Sequence, residues 1–203
     1  GIEIEPGAQP LDRFGELVNR HQMEAAAALL PELTAPRRMQ RGHWTFVCSA
    51  LVTAHDWPTL DRHAQHWLAV AAETDLGEAA FYTGLAAARC GHDEAAARAM
   101  AIATALPATK GMWYGHALLE LAWLHVRPDG PTLLRNPALA QHRVDALLAY
   151  TRGRPFPLQA FACLVQAEVA FANGNRARAT ELVDQGLTQP VETHAPDDTR
   201  QRL

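Results

Sequence analysis

The 203-residue chain lacks several features that would indicate a particular class of function. Lys110 is its only lysine, and 18 basic residues stand against 22 acidic ones, which gives a formal net charge of −4. Basic residues form no long run, so the electrostatic footprint of a nucleic-acid-binding protein is missing. The longest apolar runs are far shorter than a membrane span requires, and no signal peptide is visible. We therefore expect neither a nucleic acid nor a membrane as a direct partner.

Cysteine is scarce, and its placement argues against the usual cysteine-based sites. Cys48, Cys90 and Cys163 are an odd number, none forms a CxxC pair, and each lies in an apolar helical context. Cysteines of this kind are commonly small buried side chains in a reducing compartment. We therefore expect a cytoplasmic location and packed thiols. A reactive or metal-binding thiol is the alternative.

Catalytic motifs and strand patterns are missing as well. The sequence contains no GxSxG, P-loop, GxGxxG or paired-carboxylate motif, so we predict neither a catalytic residue nor a cofactor. Apolar and polar residues nowhere alternate over five or more positions, as they do in a half-buried strand. Apolar residues make up 48% of the chain and are rich in alanine, which favours close-packed helices. The predicted fold class is all-α.

A repeated spacing of turn, small and apolar residues runs through the helical pattern. A turn residue is followed after five positions by alanine, after nine by an apolar residue and after sixteen by proline. Three segments share this spacing: Gly91, Ala96, Met100, Pro107; Gly174, Ala179, Val183, Pro190; and Arg20, Ala25, Leu29, Pro36. The spacing is typical of the second helix of a helical hairpin, and its recurrence predicts a repeat protein.

Local signals predict where several helices begin and how the chain turns. Asp56 and Asn136 each precede a proline in a first helical turn, and Asp93 follows a turn glycine, so all three are expected to cap helices. Gly91 and Gly174 are expected to adopt positive φ at their turns. Four small residues are expected where helices approach closely: Gly84, Ala96, Ala167 and Ala179.

The repeated spacing and the residues that define it resemble the sequence motif of the tetratricopeptide repeat family. Residues 77–107 carry Gly84, Ala87, Gly91, Ala96 and Met100, and residues 157–190 carry Ala167, Ala170, Gly174, Ala179 and Val183, at the corresponding motif positions. The resemblance implies an α-α superhelix, a right-handed solenoid of about five antiparallel helical hairpins. The implied units are roughly residues 10–36, 37–74, 77–107, 112–152 and 156–190, with a flexible lead-in at 1–9 and a flexible tail at 191–203.

The resemblance also implies a concave groove, lined by first-helix residues, that binds a peptide or a partner protein. Carried over position by position, the partner-binding residues are Phe81, Leu85, Arg89, His116, Leu119, Trp123, Arg127 and Glu168. The two arginines are expected to grip a carboxylate or a backbone carbonyl, and the aromatic and aliphatic residues to act as apolar anchors. The alternative is that several of these side chains are buried between neighbouring hairpins.

Two other functions stay open at this stage. The chain is also compatible with the ligand- or protein-sensing segment of a larger bacterial transcriptional or signalling regulator. A metal-assisted hydrolase would use His55, His63 and His66, because two histidines at i and i+3 share a helical face. The loop from Arg127 to Asn136 is longer than the others. It is either a specificity element or neutral slack.

Overall fold

The computed structural model describes residues 10–20, 22, 25–26, 28–29, 32, 41–106, 111–152 and 158–189. Within them the chain is all-α, with no β-strand, which confirms the predicted class. The described helices are α1 (Pro10–Asn19), α2 (Arg41–Thr53), α3 (Trp57–Val70), α4 (Leu76–Arg89), α5 (Asp93–Ala105), α6 (Met112–Val126), α7 (Pro137–Thr151), α8 (Gln159–Ala172) and α9 (Arg176–Leu187), with a 3-10 turn at Thr132–Leu134. The predicted lead-in and tail lie outside the described residues, as does part of the first predicted unit, residues 10–36.

Side chains cap helices at two of the predicted positions. The Asp56 carboxylate accepts a hydrogen bond from the amide of Thr59 at 3.2 Å, at the start of α3. The Asn136 side chain accepts one from the amide of Leu139 at 3.0 Å, at the start of α7. Asn175 caps α9 in the same way, although its position was not singled out from the sequence. These bonds satisfy amides that have no partner within the helix.

The two turn glycines adopt the predicted conformation. Gly91 has φ +79° and Gly174 has φ +78°, and a Cβ at either position would meet no atom within 4 Å. The requirement for glycine is therefore conformational, since left-handed backbone is costly for residues with a Cβ. Each glycine lets the chain reverse within a few residues, between α4 and α5 and between α8 and α9.

The helices pack in a regular order. Each described helix packs against the next one along the chain, from α1 to α9. In addition, α4 packs against α6, and α6 packs against α8. The first helices of successive predicted hairpins are therefore direct neighbours in the second half of the chain.

Small residues make the close packing between helices possible. A Cβ added to Gly84 would lie 2.9 Å from Cγ of Met100, so glycine is needed for α5 to approach α4. Ala96, Ala167 and Ala179 are all buried. The close approach predicted at Gly84 is confirmed, and the three alanines are buried, as packing positions require.

Helix α6 belongs to both of the main hydrophobic clusters. Trp113, Ala117 and Leu121 join the cluster that also contains Trp67 and other residues from α1 to α5. Other residues of α6 join a second cluster with α7 and α8. From Trp113 to Val126 every residue except Tyr114 is buried. A helix that is apolar on all sides is suited to this central position.

Candidate functional site

The eight residues predicted to bind a partner lie on α4, α6 and α8 or at the end of α6. Five of them are buried, with exposures of 7% or less: Phe81, Leu85, His116, Leu119 and Trp123. Three are partly exposed: Arg89, Arg127 and Glu168. The apolar members thus lie between neighbouring helices, which was the alternative raised from the sequence. Their contribution to partner binding stays a prediction.

Ring contacts show how these buried residues join the first helices. The rings of Phe81 on α4 and His116 on α6 have centroids 5.9 Å apart. The ring of Trp123 on α6 meets that of Phe161 on α8 edge to face, also at 5.9 Å. Aromatic pairs in this range add about 1 kcal/mol beyond the area they bury. The predicted site residues therefore contribute to the contacts between helices.

Arg89 forms a buried ion pair across two helices. Its guanidinium donates two hydrogen bonds to the carboxylate of Glu120 on α6, at 3.1 and 2.5 Å. The side chain of Glu120 is 2% exposed and that of Arg89 is 11% exposed. The guanidinium carbon also lies 5.8 Å from the centroid of the Trp57 ring, within cation–π range. Arg89 therefore joins α4 to α6.

Arg127 forms the second ion pair, and this pair corrects a prediction. Its guanidinium donates a hydrogen bond to the carboxylate of Asp93 at 2.5 Å, and its Nε lies 3.8 Å from Asp129. Asp93 was expected to cap α5. Instead His92 occupies the capping position, without a side-chain capping bond, and Asp93 is the first helical residue. The cap prediction is wrong because the helix begins at Asp93 itself, and the carboxylate of Asp93 pairs with Arg127 and accepts no bond from an amide of the first turn.

Hydrogen bonds between successive helical hairpins recur at a nearly constant separation along the chain. The four pairs are 33, 33, 31 and 34 residues apart: Thr45–Glu78, Ser49–Tyr82, Arg89–Glu120 and Asp93–Arg127. A repeat protein places equivalent positions of neighbouring units in contact at the length of its period. These pairs link α2 to α4, and α4 and α5 to α6 and its C-terminal end, at separations of 31 to 34 residues.

The histidines considered as metal ligands do not form a common site. His63 is 4% exposed and packs against the ring of Trp44 with centroids 4.8 Å apart. His55 instead contacts Trp57, at 5.4 Å between centroids. Among the residues that the structure describes, no group of three or more His, Cys, Asp or Glu side chains is arranged to hold a metal ion. The hydrolase alternative therefore has no described metal site to support it.

His63 is nevertheless unusual because its ring is buried without polar partners. Neither ring nitrogen has a hydrogen-bond partner within the described part of the chain. Burial, followed by the charge of His66, lowers the pKa of His63 from 6.5 to about 4. The ring is therefore neutral at physiological pH, and its surroundings are mainly aromatic.

Two of the three cysteines are packed as expected, and the third is not fully buried. Cys48 and Cys163 are buried, and Cys90 is partly exposed. Burial raises the pKa of Cys48, and the nearby Glu78 raises it further. Burial and Asp61 also raise the pKa of Cys90. Because the thiolate is the reactive form, these shifts make both thiols poor nucleophiles.

An open groove lies beside the loop from Arg127 to Asn136, and we call it the loop groove. Its volume is about 410 Å³. It is lined by residues of α5, α6, the loop and α7: Glu94, Ala97, Arg98, Ala101, Leu121, His125, Leu133, Leu134, Leu139 and Arg143. Leu121 is 2% exposed, whereas Leu133 is 89% exposed. Leu133, Leu134 and Leu139 together give the groove an exposed apolar wall, and contiguous exposed apolar surface is typical of interaction sites.

Hydrogen bonds hold the loop against α6. Nδ1 of His125 lies 2.7 Å from the carbonyl oxygen of Leu134. A carbonyl only accepts, so Nδ1 carries the proton of this bond. The amide of Asn136 donates to the carbonyl of His125 at 2.9 Å, and that of Gly130 donates to the carbonyl of Arg127 at 3.2 Å. The loop wall of the groove therefore has a fixed backbone.

A second groove, of about 290 Å³, lies among α7, α8 and α9. Its polar side chains make local hydrogen bonds: Gln141 donates to Asp145 at 2.8 Å and Gln166 donates to the carbonyl of Ala162 at 3.1 Å. Leu148 on its edge is 48% exposed. Because Gln141, Gln166 and Arg178 in its lining already have partners, this groove is the weaker candidate.

Leu133 and Arg143 were not among the residues predicted to bind a partner. The available signal was the loop from Arg127 to Asn136, whose length had suggested either a specificity element or neutral slack. A pair of leucines inside a loop otherwise made of polar, proline and glycine residues is the additional signal. No sequence pattern showed that this loop packs beside α5 and α7.

Comparison with protein-family models, curated proteins and solved structures found no match to this chain. Among the described residues, no helix combines the length and the apolarity that a membrane crossing requires.

Proposed function

We propose that this chain is a non-catalytic helical-repeat module that binds a peptide or a partner protein, with the loop groove as its docking site. The observation that carries the proposal is Leu133, which is 89% exposed beside the apolar floor of the groove. The hydrogen bond between His125 and the backbone of Leu134 supports it further, since a preformed wall lowers the entropic cost of binding.

The proposal includes a right-handed solenoid of helical hairpins resembling tetratricopeptide repeats. Two observations support it: contacts of α6 with both α4 and α8, and the hydrogen bonds at separations of 31 to 34 residues. In this arrangement the first-helix residues hold successive hairpins together. Arg127 connects the start of the docking loop to α5 through Asp93.

Substitutions of Arg89 or Trp123 would not distinguish a loss of binding from a loss of folding. Removing Arg89 leaves Glu120 buried without its partner, which typically costs about 3–5 kcal/mol of stability. Replacing Trp123, which is 4% exposed, leaves a cavity in the core. Loss of binding in such variants would be confounded by unfolding, so the test uses exposed residues.

A selection of random phage-displayed peptides on the immobilised protein tests the proposal. We expect enriched peptides to bind Leu133→Asp at least roughly ten-fold more weakly than wild type, because an apolar contact worth ~1.4 kcal/mol or more is lost. The matched control is Leu148→Asp, which places the same change beside the second groove. Fluorescence anisotropy gives the affinities, and circular dichroism verifies the folding of both variants.

The outcomes separate the two grooves. Peptides that lose affinity with Leu133→Asp and keep it with Leu148→Asp support docking at the loop groove. Loss with Leu148→Asp alone would place binding at the second groove and overturn the assignment. If no enriched peptide depends on Leu133, the loop groove is not the docking site.

A further inference from the structure

We infer that the loop groove selects a peptide segment in which an aspartate or glutamate lies next to a large apolar side chain. The inference rests on the proposed function and specifies the chemistry of the partner. Three features of the groove support it: the excess of positive charge in its lining, the lack of an ion pair at Arg143 among the described residues, and the leucines of its floor and walls.

The charge of the groove is opposite in sign to that of the whole chain. The protein carries a formal net charge of −4. The lining of the groove contains two arginines, Arg98 and Arg143, and one carboxylate, Glu94. The excess of positive charge is therefore local, and it disfavours a basic segment while it attracts an acidic one.

The carboxylate of Glu94 neutralises only one of these arginines. Glu94 and Arg98 lie one turn apart on α5, with Nη1 and Oε2 3.8 Å apart and both side chains more than 60% exposed. Such an exposed pair contributes little and is easily rearranged. It leaves Arg98 available to a second carboxylate.

Arg143 is the second arginine in the lining of the groove. It projects from α7 into the lining of the groove, and within the described residues it forms no ion pair. Its Nε is buried and has no hydrogen-bond partner among those residues. Because Nε is buried, an incoming acceptor would reach the guanidinium group through its Nη atoms, which make no hydrogen bond among the described residues either. A carboxylate is the acceptor that matches the fork of a guanidinium group.

The apolar part of the segment has a separate place. Leu121 forms part of the floor, and Leu133, Leu134 and Leu139 line the loop and α7 sides. A large aliphatic or aromatic side chain on these leucines would leave its acidic neighbour beside Arg143. The groove therefore reads an acidic residue and an apolar residue together.

The experiment uses the enriched peptides from the selection described above. We expect aspartate or glutamate beside a large apolar residue in most of them, and binding roughly ten-fold weaker to Arg143→Gln, because a charge-assisted bond is lost. Arg152→Gln, at the exposed end of α7, is the matched control and should bind as wild type does. Arg98→Gln should weaken binding less, and added salt should weaken it in wild type.

A charge-reversal variant distinguishes loss of the ion pair with the peptide from a structural effect of the substitution. Arg143→Glu should lose the acidic peptides and gain affinity for copies in which the acidic residue is replaced by lysine. Binding that depends on Leu133 but is unchanged in both Arg143 variants would overturn this inference and leave the proposed function standing. Peptides without acidic enrichment would also overturn it. Binding that is unchanged in the Leu133 variant and in both Arg143 variants would overturn the proposed function as well.

Discussion

His63 shows how a residue is changed by its surroundings. On the sequence it is a polar residue of a helix that also carries Asp61 and His66. In the structure its ring is packed against Trp44, and neither nitrogen has a partner in the described part of the chain. A buried imidazole without partners is neutral in the folded protein, because burial disfavours its charged form. Its lowered pKa means that acid favours the unfolded chain, in which the ring binds a proton more readily.

The stability of the protein should depend on pH through His63. Its pKa is about 4 in the folded state against 6.5 in the unfolded chain. Between these values the unfolded chain binds the additional proton, so the free energy of unfolding falls as pH falls from 6.5 to 4. The loss is on the order of 3 kcal/mol. Urea unfolding at a series of pH values measures it.

His63→Leu should reduce this pH dependence and should be neutral or stabilising at pH 7, since it removes two buried polar atoms without partners. The same change at the exposed His142 of α7 is the control and should leave the pH dependence as in wild type. An equal pH dependence in His63→Leu and wild type would show that another group is responsible.

At the scale of the elements, single residues set the turns and ends of helices. Gly91 and Gly174 adopt left-handed backbone, with open space where a Cβ would lie. Asp56 and Asn136 accept bonds from amides three residues ahead. All four were predicted from the sequence, because each effect involves only the residue and its near neighbours.

Alanine substitutions of glycine should have opposite effects at a turn and in a helix. Gly174→Ala should destabilise the protein by about 1–2 kcal/mol, because alanine is strained at φ +78°. Gly42 lies inside α2, where an added Cβ would also meet no atom within 4 Å, so Gly42→Ala should stabilise the protein by roughly 0.5–1 kcal/mol. Thermal unfolding of both variants compares them. Stabilisation by Gly174→Ala would contradict the assigned turn conformation.

The candidate site was less predictable than the elements. Arg89 and Arg127 were recognised as important cations, but their partners Glu120 and Asp93 are 31 and 34 residues away. Leu133 lies in a loop that the sequence marked by length alone. The loop groove is formed by α5, α6 and α7 together, so no single segment carries its signature.

At the scale of the molecule, α6 connects the two hydrophobic clusters. Leu121 belongs to the first cluster and Leu118 to the second. Glu120, on the same helix, forms the ion pair with Arg89 of α4. Because α6 packs into both clusters, a substitution that disrupts one cluster also weakens the support of the other.

We therefore expect the two halves of the chain to unfold together. Leu147→Ala, on α7 in the second cluster, should cost about 2–5 kcal/mol. Hydrogen exchange should show the same loss of protection in α2 and α3 as in α8 and α9. The reciprocal variant Leu51→Ala, in the first cluster, should lower the protection of α8 and α9. Loss confined to the mutated half would show that the halves unfold independently.

The sequence by itself determined the all-α class, the caps at Asp56 and Asn136 and the left-handed turns at Gly91 and Gly174. These features depend on composition and on interactions within a few residues, which a linear pattern records. The tertiary structure alone decided that Arg89 is paired, that Asp93 is not a cap and that Leu133 stands beside a groove. Those outcomes depend on side chains that lie 31 and 34 residues apart in the sequence and on how neighbouring helices pack.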